Sequence, residues 1–343
     1  MRAPYRIGLL GLGHVGGALA RRLIEDGERV ASAAGRPVVL DAIAVARPEG
    51  RTAPAPLVPA DALLKRPHLD AIVELIGGID PALTYICSAL QSGLEVITAN
   101  KQLIAARGPA LAQLGPLRFE ASVASAIPIV ETLAETLAAD RINSLMGILN
   151  GTTNSILDAM AAGADYADAL ADAQRCGLAE ADPSADVDAH DPAAKLAILG
   201  MLGFRRRIEP SQIERVGIRG LDQRQLVAAR ERGFVVKLIA AASMTGPGIE
   251  ADVRPRLIPD DAPLARVAGA MNAISVDAAY AGTLVLQGPG AGPDAAASAV
   301  LADLIRAARG TPASAGALLA SLADQPVATI TPLGLQTPFP AVP

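Results

Sequence analysis

Lys195 follows a run of acidic residues. Glu180, Asp182, Asp186, Asp188 and Asp191 all fall within a dozen positions just before it. No apolar periodicity appears until Lys195 and Leu196, so the pattern predicts a loop running into a helix. Asp191 suits the N-cap and Pro192 the first helical position. In that frame Lys195 sits in the first turn, where the positive end of the helix dipole disfavours a cation. Ile198, Leu199 and Leu202 lie three, four and seven residues on, which puts the lysine on the apolar face. An amine drawn inward beneath carboxylates is a candidate proton carrier. The helix end and partial burial favour its neutral form, and the acids favour the charged one. Plainer readings compete: acid runs are commonly solvated loops, and Lys195 with Asp191 makes a simple structural ion pair. A calcium loop fails, because counting from Asp182 position six is Val187 rather than Gly and position twelve is Ala193 rather than Glu.

A second chemistry is written near the start. Residues 5–10 read as a short buried strand. Gly11-Leu12-Gly13-His14-Val15-Gly16 follows, and then a helix from Gly17 to Asp26. This is G-x-G-x-x-G between a strand and a helix, where glycines let the backbone approach a pyrophosphate seated on the helix N-terminus. The next strand, Val38 to Ala46, ends at Arg47, with Arg51 nearby, where an NAD site would carry Asp or Glu; Asp41 comes too early. Arginine there suits a 2′-phosphate and favours NADP, with NAD the alternative. Asp70–Leu75 and Glu95–Thr98 read as further strands, the first closed by Gly77-Gly78 and the second leading to Ala99-Asn100-Lys101. Ligands bind at the carboxyl ends of parallel strands, so Lys101 is expected to face the cofactor crevice.

Further along, Leu117–Val123 reads as a strand carrying Glu120, and Ile127–Ala139 as an amphipathic helix. Ile142–Leu149 leads into Asn150-Gly151-Thr152-Thr153-Asn154 and a helix over 155–162. Glycine and hydroxyls at a helix start make either an anion site or ordinary caps. Tyr166–Cys176 is a helix that Gly177 stops. Phe234–Ile258 contains strands around a turn, Ser275–Leu286 is strand-like, and Gly288-Pro289-Gly290-Ala291-Gly292 opens a helix over 295–308. The Pro-rich tail from Thr311 is expected to pack loosely.

The 343 residues are enough for two domains. With no Trp, four Phe and four Tyr in a chain that is 51% hydrophobic, Ala, Leu, Val and Ile must fill the core. The net charge of −5, without a basic stripe, argues against nucleic acid as a partner. Cys87 and Cys176 make neither a metal pair nor a redox motif, so buried thiols are expected. No apolar run approaches a membrane span and no cleavable leader precedes the first strand, so a cytoplasmic protein is expected.

Taken together, the glycine motif, Thr98-Ala99-Asn100-Lys101, Glu120-Ala121-Ser122-Val123, Asn150 to Asn154, the Ala-Glu-Ala-Asp-Pro core of Gly177 to Lys195, and Gly288 to Gly292 resemble the homoserine dehydrogenases over nearly the whole chain. The resemblance implies an α/β fold: a Rossmann-like, parallel-sheet NAD(P) domain over 1–133 and an α+β substrate and dimerisation domain over 134–287. A segment over 288–325 would pack back on the nucleotide domain, and 326–343 would be a tail. It implies an oxidoreductase that interconverts L-homoserine and L-aspartate 4-semialdehyde on the way to threonine and methionine, acting as a homodimer. Lys195 matches the proton donor and acceptor at the substrate oxygen, and Lys101 a lysine beside nicotinamide and substrate. Glu180 and Asp191 match carboxylates that hold homoserine, Asp186 a nearby acid, and Thr152 a seat for the substrate carboxylate. Gly11, Gly13, His14, Val15, Gly16, Arg47, Gly77, Thr98, Lys101, Gly177 and Gly288 are the expected cofactor contacts. Glu120, Val123, Ser125 and Ile127 match a monovalent-cation site, such as one for Na+, built mostly from carbonyls. Two departures bear on this. Ala124-Ser125-Ala126 stands where the family usually has glycines, and Ala189 replaces a glycine before His190-Asp191. With no kinase ahead and no regulatory domain behind, neither fused aspartokinase activity nor threonine feedback through a separate domain is expected. Two alternatives are another Rossmann oxidoreductase of a small amino or hydroxy acid, and a catalytically silent NAD(P) sensor.

Overall fold

The computed structural model describes residues 2–246 and 248–333. The chain forms two compact units, Met1–Ala138 with Gly292–Gln325, and Ala139–Ala291 with Pro326–Pro343.

The first unit opens with β1 (Tyr5–Leu10), then α1 (His14–Glu25), α2 (Gly27–Ala34), β2 (Val38–Ala44), α3 (Ala60–Leu64) and β3 (Ala71–Glu74). It continues through α4 (Ala82–Gln91), β4 (Glu95–Thr98), α5 (Lys101–Ala112) and β5 (Leu117–Arg118). β1 and β3 are nearly continuous apolar runs buried on both faces, the mark of interior strands of a parallel sheet. All neighbouring pairs are parallel, in the order β2-β1-β3-β4-β5. The chain leaves β1 for β2 on one side and takes up β3 on the other. The carboxyl ends of β1 and β3 therefore flank the crevice where such sheets take nucleotides.

Three expected elements differ. β2 stops at Ala44, so Arg47 stands on an exposed loop. The run expected as a strand over 117–123 leaves the sheet after Arg118 for a 3-10 turn at Glu120–Ser122, drawn back by the Ser122 hydroxyl on the Phe119 carbonyl (2.6 Å). The helix expected over 127–139 is a short turn widened to π geometry at Thr132–Thr136. Glu120 holds its start by accepting from the N–H groups of Val130 (2.9 Å) and Glu131 (3.1 Å).

The second unit runs through β6 (Ile142–Ile148), α6 (Gly151–Ala161), α7 (Tyr166–Arg175), α8 (Ser184–Val187) and α9 (His190–Phe204). After these come β7 (Glu214–Arg215), α10 (Gln223–Glu231), β8 (Phe234–Thr245), β9 (Gly248–Pro259), β10 (Met271–Ala278), β11 (Gly282–Pro289) and β12 (Ile330–Thr331). Its sheet follows the order β11-β10-β6-β8-β9-β12, with β7 beside β9. The stretch expected as one strand over 275–286 is two strands. They are joined by a turn whose Tyr280 and Ala281 N–H groups the Asp140 carboxylate accepts (3.1 and 2.8 Å). Helices α6, α9 and α10 pack on β8.

The chain then rejoins the first unit through α11 (Pro293–Arg309) and α12 (Ser314–Leu322). Ala297, Val300, Leu304 and Ala307 of α11 enter the core formed by Ile7, Leu9, Leu19 and Leu23. The segment after Thr311, expected to pack loosely, is instead this second helix. Its Ala315, Leu319 and Leu322 are buried, and a Cβ on Gly316 would stand 2.3 Å from the Leu117 carbonyl oxygen. Of the tail, residues 326–333 contribute β12, and 334–343 lie outside the described residues.

Candidate active site

The glycine loop is built for close backbone approach. Gly11 has φ +98, and a Cβ there would sit 2.7 Å from the Leu75 carbonyl oxygen at the end of β3. A Cβ on Gly16 would meet the Gly11 carbonyl oxygen at 2.1 Å. α1 starts directly from Gly13, with no acidic residue in its first turn, so its N-terminal N–H groups are open to an anion. His14 is exposed and Val15 half-buried at that start. Arg47 is exposed beyond β2, whereas Arg51 donates to the Leu12 carbonyl inside the glycine loop (3.2 Å). Asp41 is occupied by Arg6 and Arg66, at 3.1 and 2.6 Å.

At the ends of β3 and β4, Gly77 and Gly78 both adopt the left-handed region (φ +80 and +72). Thr98 is fully buried, and Asn100 caps α5 by accepting from the Leu103 N–H (3.1 Å). Lys101 is the first residue of that helix, half-buried. Beneath both corners lies Glu74, fully buried, which the sequence reading did not single out. The available signal was an acid inside the apolar run Ala-Ile-Val-Glu-Leu-Ile.

In the second unit Lys195 is 7% exposed. Its Nζ donates to the Leu149 carbonyl (2.7 Å) and to Asp191 Oδ2 (2.8 Å). Asn150 ties the acids together: its Nδ2 donates to Asp186 Oδ1 (2.7 Å) and Asp191 Oδ2 (2.8 Å), and its Oδ1 accepts from the Thr153 N–H (2.9 Å), capping α6. Asp191, Asp186 and the N-terminus of α6 thus meet at Asn150, which the sequence did not mark as a site residue, and Lys195 joins them through Asp191. The Thr152 hydroxyl donates to the Leu178 carbonyl (2.8 Å). That leaves the helix N-terminal N–H groups as what this residue offers a carboxylate.

The local frame differs from expectation. α9 begins at His190, and its N-cap is Ala189 in the left-handed region (φ 62). Asp191 is therefore the second helical residue and not the cap, and Lys195 lies in the second turn, one turn above Asp191. The left-handed corner explains why glycine suits position 189. The acid stretch is also not all loop, since α8 interrupts it. Its members separate: Asp188 pairs with Arg219 (2.6 Å), Asp182 caps the Ser184 N–H (3.0 Å), and Glu180 is exposed, with only its backbone carbonyl held, by Gln174 (3.0 Å). Gly177 is exposed with φ +73, ending the α7 segment, and Gly288 lies on β11 opposite Asn272. Cys176, expected to be buried, is exposed; Cys87 is half-buried, and both are free thiols.

The fourth group, around Glu120, is a buried acid cluster. Asp303 accepts from the Glu120 N–H (2.9 Å) and from Arg306 (3.1 Å), which also lies 3.5 Å from the Glu120 carboxylate. Burial, reinforced by Asp303, pushes the Glu120 carboxyl up to about 7. Burial likewise raises Glu131 to about 7 and Asp303 above the usual carboxylate range. Ala124 and Ser125 both take left-handed backbone (φ 53 and 47), the region that favours glycine. Val123 and Ile127 are buried on either side. Among the described residues no group of three or more His, Cys, Asp or Glu side chains could hold a metal ion.

A parallel sheet with a strand–glycine loop–helix start, and a second unit presenting a buried amine among carboxylates, define a dinucleotide-dependent oxidoreductase of a small polar substrate. The homoserine dehydrogenase profile matches residues 128–305, and the profile of the homoserine dehydrogenase NAD-binding domain matches 11–116. A homoserine dehydrogenase of Corynebacterium glutamicum is 44% identical over 318 residues, covering 88% of this chain and 72% of that protein. The solved homoserine dehydrogenase of Thiobacillus denitrificans superposes with a TM-score of 0.90 at 37% identity, covering 96% of this chain and 80% of that one. A hyperthermophilic archaeal homoserine dehydrogenase solved with NADPH gives 0.77 at 26% identity, covering 90% and 99%. The chain belongs to the homoserine dehydrogenase family. It is an oxidoreductase of that class, with a nicotinamide nucleotide domain and the interconversion of L-homoserine and L-aspartate 4-semialdehyde as its reaction. No described helix is long and apolar enough to cross a membrane.

Proposed function

We propose that Lys195 is the proton donor and acceptor of this reaction and that NADP(H) is the preferred cofactor. The observation that carries the first part is the buried amine held at 2.8 Å from Asp191 and 2.7 Å from the Leu149 carbonyl. The nicotinamide, when bound, accepts or supplies a hydride. Lys195 takes the alcohol proton in one direction and protonates the aldehyde oxygen in the other. Asp191 and Asp186, with Glu180, supply negative charge for the substrate ammonium, and the N-terminus of α6 at Thr152 suits its carboxylate. Lys101 is proposed to act beside the nicotinamide. In the first unit the cofactor rests on Gly11, Gly13, His14, Val15, Gly16 and Gly77, and the buried Thr98 supports that surface from below. The test is turnover of purified protein with homoserine and with aspartate semialdehyde. Cofactor binding without turnover of either would leave the silent-sensor reading standing.

For the 2′-phosphate, Arg47 is the proposed contact, supported by its place on the exposed loop after β2; Arg51 is already held by the glycine loop. A charge-assisted pair at an open edge contributes about 1–3 kcal/mol. Arg47→Ala is expected to raise the Km for NADP by about fivefold or more and leave that for NAD nearly unchanged. Equal losses with both cofactors would make Arg47 structural.

A monovalent cation such as Na+ is proposed on the carbonyls of Glu120, Val123, Ser125 and Ile127. The left-handed turn at 124–125 supports it, and the Glu120 side chain is engaged elsewhere. Activity in sodium chloride should exceed that in choline chloride at equal ionic strength; identical rates would remove the cation. The proposed homodimer forms through the second unit, where β11 is an edge strand with Val285 44% exposed. Sedimentation at micromolar concentration should give twice the chain mass, and a monomer contradicts it. The two free thiols accord with a reducing, cytoplasmic setting.

A further inference from the structure

We infer that Glu74 is a positioning residue for the nicotinamide nucleotide, fixing from below the two corners of the first unit that the cofactor is read to touch. Its carboxylate is fully buried at the last position of β3. One oxygen, Oε1, accepts from the successive N–H groups of Ile76 (2.7 Å) and Gly77 (3.0 Å). The other, Oε2, accepts from the Thr98 hydroxyl (2.6 Å) at the end of β4. Thr98 Oγ1 in turn accepts from the Asn100 N–H (3.0 Å), and Asn100 Nδ2 donates to the Gly78 carbonyl (2.5 Å). These bonds close a ring: Glu74, the 76–78 turn, Asn100, Thr98, and back to Glu74.

Two features separate this ring from ordinary core polarity. The buried carboxylate supports a turn that is itself exposed: Ile76, Gly77 and Gly78 all face solvent, at the carboxyl end of the strand beside β1. Two consecutive residues in the left-handed region have no repeating backbone pattern to hold them, so the carboxylate anchors Gly77 and Asn100 anchors Gly78. On the other side the ring ends at Asn100, the cap of the helix that begins with Lys101. A single buried side chain therefore couples the 76–78 turn to the origin of the lysine helix. A carboxylate is required because three donors converge on it. Gln would keep an acceptor for the turn but turn an N–H toward Thr98, whose O–H would then lose its acceptor, so the link between the two strands would have to reverse or break.

This inference rests on the reading of the first unit as the cofactor domain. The test measures NADPH affinity directly, by fluorescence titration of the unmutated chain and of Glu74→Gln, alongside melting temperature and the Km for homoserine. The expected result is an NADPH Kd raised by about tenfold or more, with kcat lowered and the Km for homoserine moved by less than about twofold. If Glu74→Gln does not fold, Thr98→Val cuts the same ring at its other strand and is expected to move NADPH affinity in the same direction. A lowered melting temperature with an unchanged NADPH Kd per folded molecule overturns the proposal and leaves Glu74 as a structural tie. Failure of the unmutated chain to bind NADPH at all overturns the cofactor reading itself, and is distinguished by needing no variant.

Discussion

Lys195→Arg is expected to lower kcat by about 10²–10⁴-fold while the protein stays folded and binds NADPH as before. Alanine is the less informative change. Lys195 and Asp191 are 7% and 6% exposed and bonded at 2.8 Å. Truncating the lysine strands a buried carboxylate, and a loss of stability then accompanies the loss of chemistry. Arginine keeps a cation beside Asp191 and the Leu149 carbonyl, but it does not release its proton at working pH, so it cannot cycle as acid and base. If Lys195 is only the partner of Asp191, arginine should retain near-normal turnover per folded molecule. If the amine moves the substrate proton, arginine and alanine should both be inactive and differ in melting temperature. Measuring kcat and melting temperature on both variants separates the roles. An active Lys195→Arg enzyme would end the catalytic assignment.

Much of this site was legible because its signals are local. The glycine loop needs only a strand, a tight turn and a helix in sequence, and all three are present. The acid stretch and Lys195 stood out because charged residues crowd against an apolar helix. What the sequence hid was the geometry that joins them. Asn150 looks like any helix cap, and only the fold brings Asp186 and Asp191 to its amide. Pro192 drew the helix start forward, because the chain instead turns at an alanine in left-handed backbone, where the expected signal is glycine. The π turn at Thr132–Thr136 depends on contacts from Glu120, and Glu120 is itself held by Asp303 from α11, far along the chain. Long-range ties of this kind leave no periodicity to read.

Lys237 follows the same rule and leads to the second large effect. It stands alone in the apolar run Phe-Val-Val-Lys-Leu-Ile, which reads as an interior strand with one misplaced charge. In β8 it is 2% exposed and its ammonium meets three acceptors: Asp158 Oδ1 (2.7 Å), Asn154 Oδ1 (2.8 Å) and the Val267 carbonyl (2.7 Å). Asp158 also accepts from the Gly269 N–H (2.7 Å), and Asn154 Nδ2 donates to the carbonyls of Val267 (3.1 Å) and Gly269 (2.8 Å). The lysine thus pins α6, the helix whose N-terminus is capped by Asn150, to β8 and to the loop before β10. Lys237→Met fits the volume but removes the cation beside Asp158 and the donor to Asn154 Oδ1, leaving Asp158 with the Gly269 N–H and the Val267 carbonyl with Asn154 Nδ2. Removing one partner of a buried pair costs about 3–5 kcal/mol, and the lower end is expected here because the Asp158 side chain is 34% exposed and can rehydrate. The expected result is an early-melting protein whose urea midpoint falls by an amount equivalent to about 3 kcal/mol. The double variant Lys237→Met with Asp158→Asn should recover part of that loss, since the stranded charge is gone. Equal instability in the single and double variants would mean that the loss comes from packing of the lysine stem and not from the charge network.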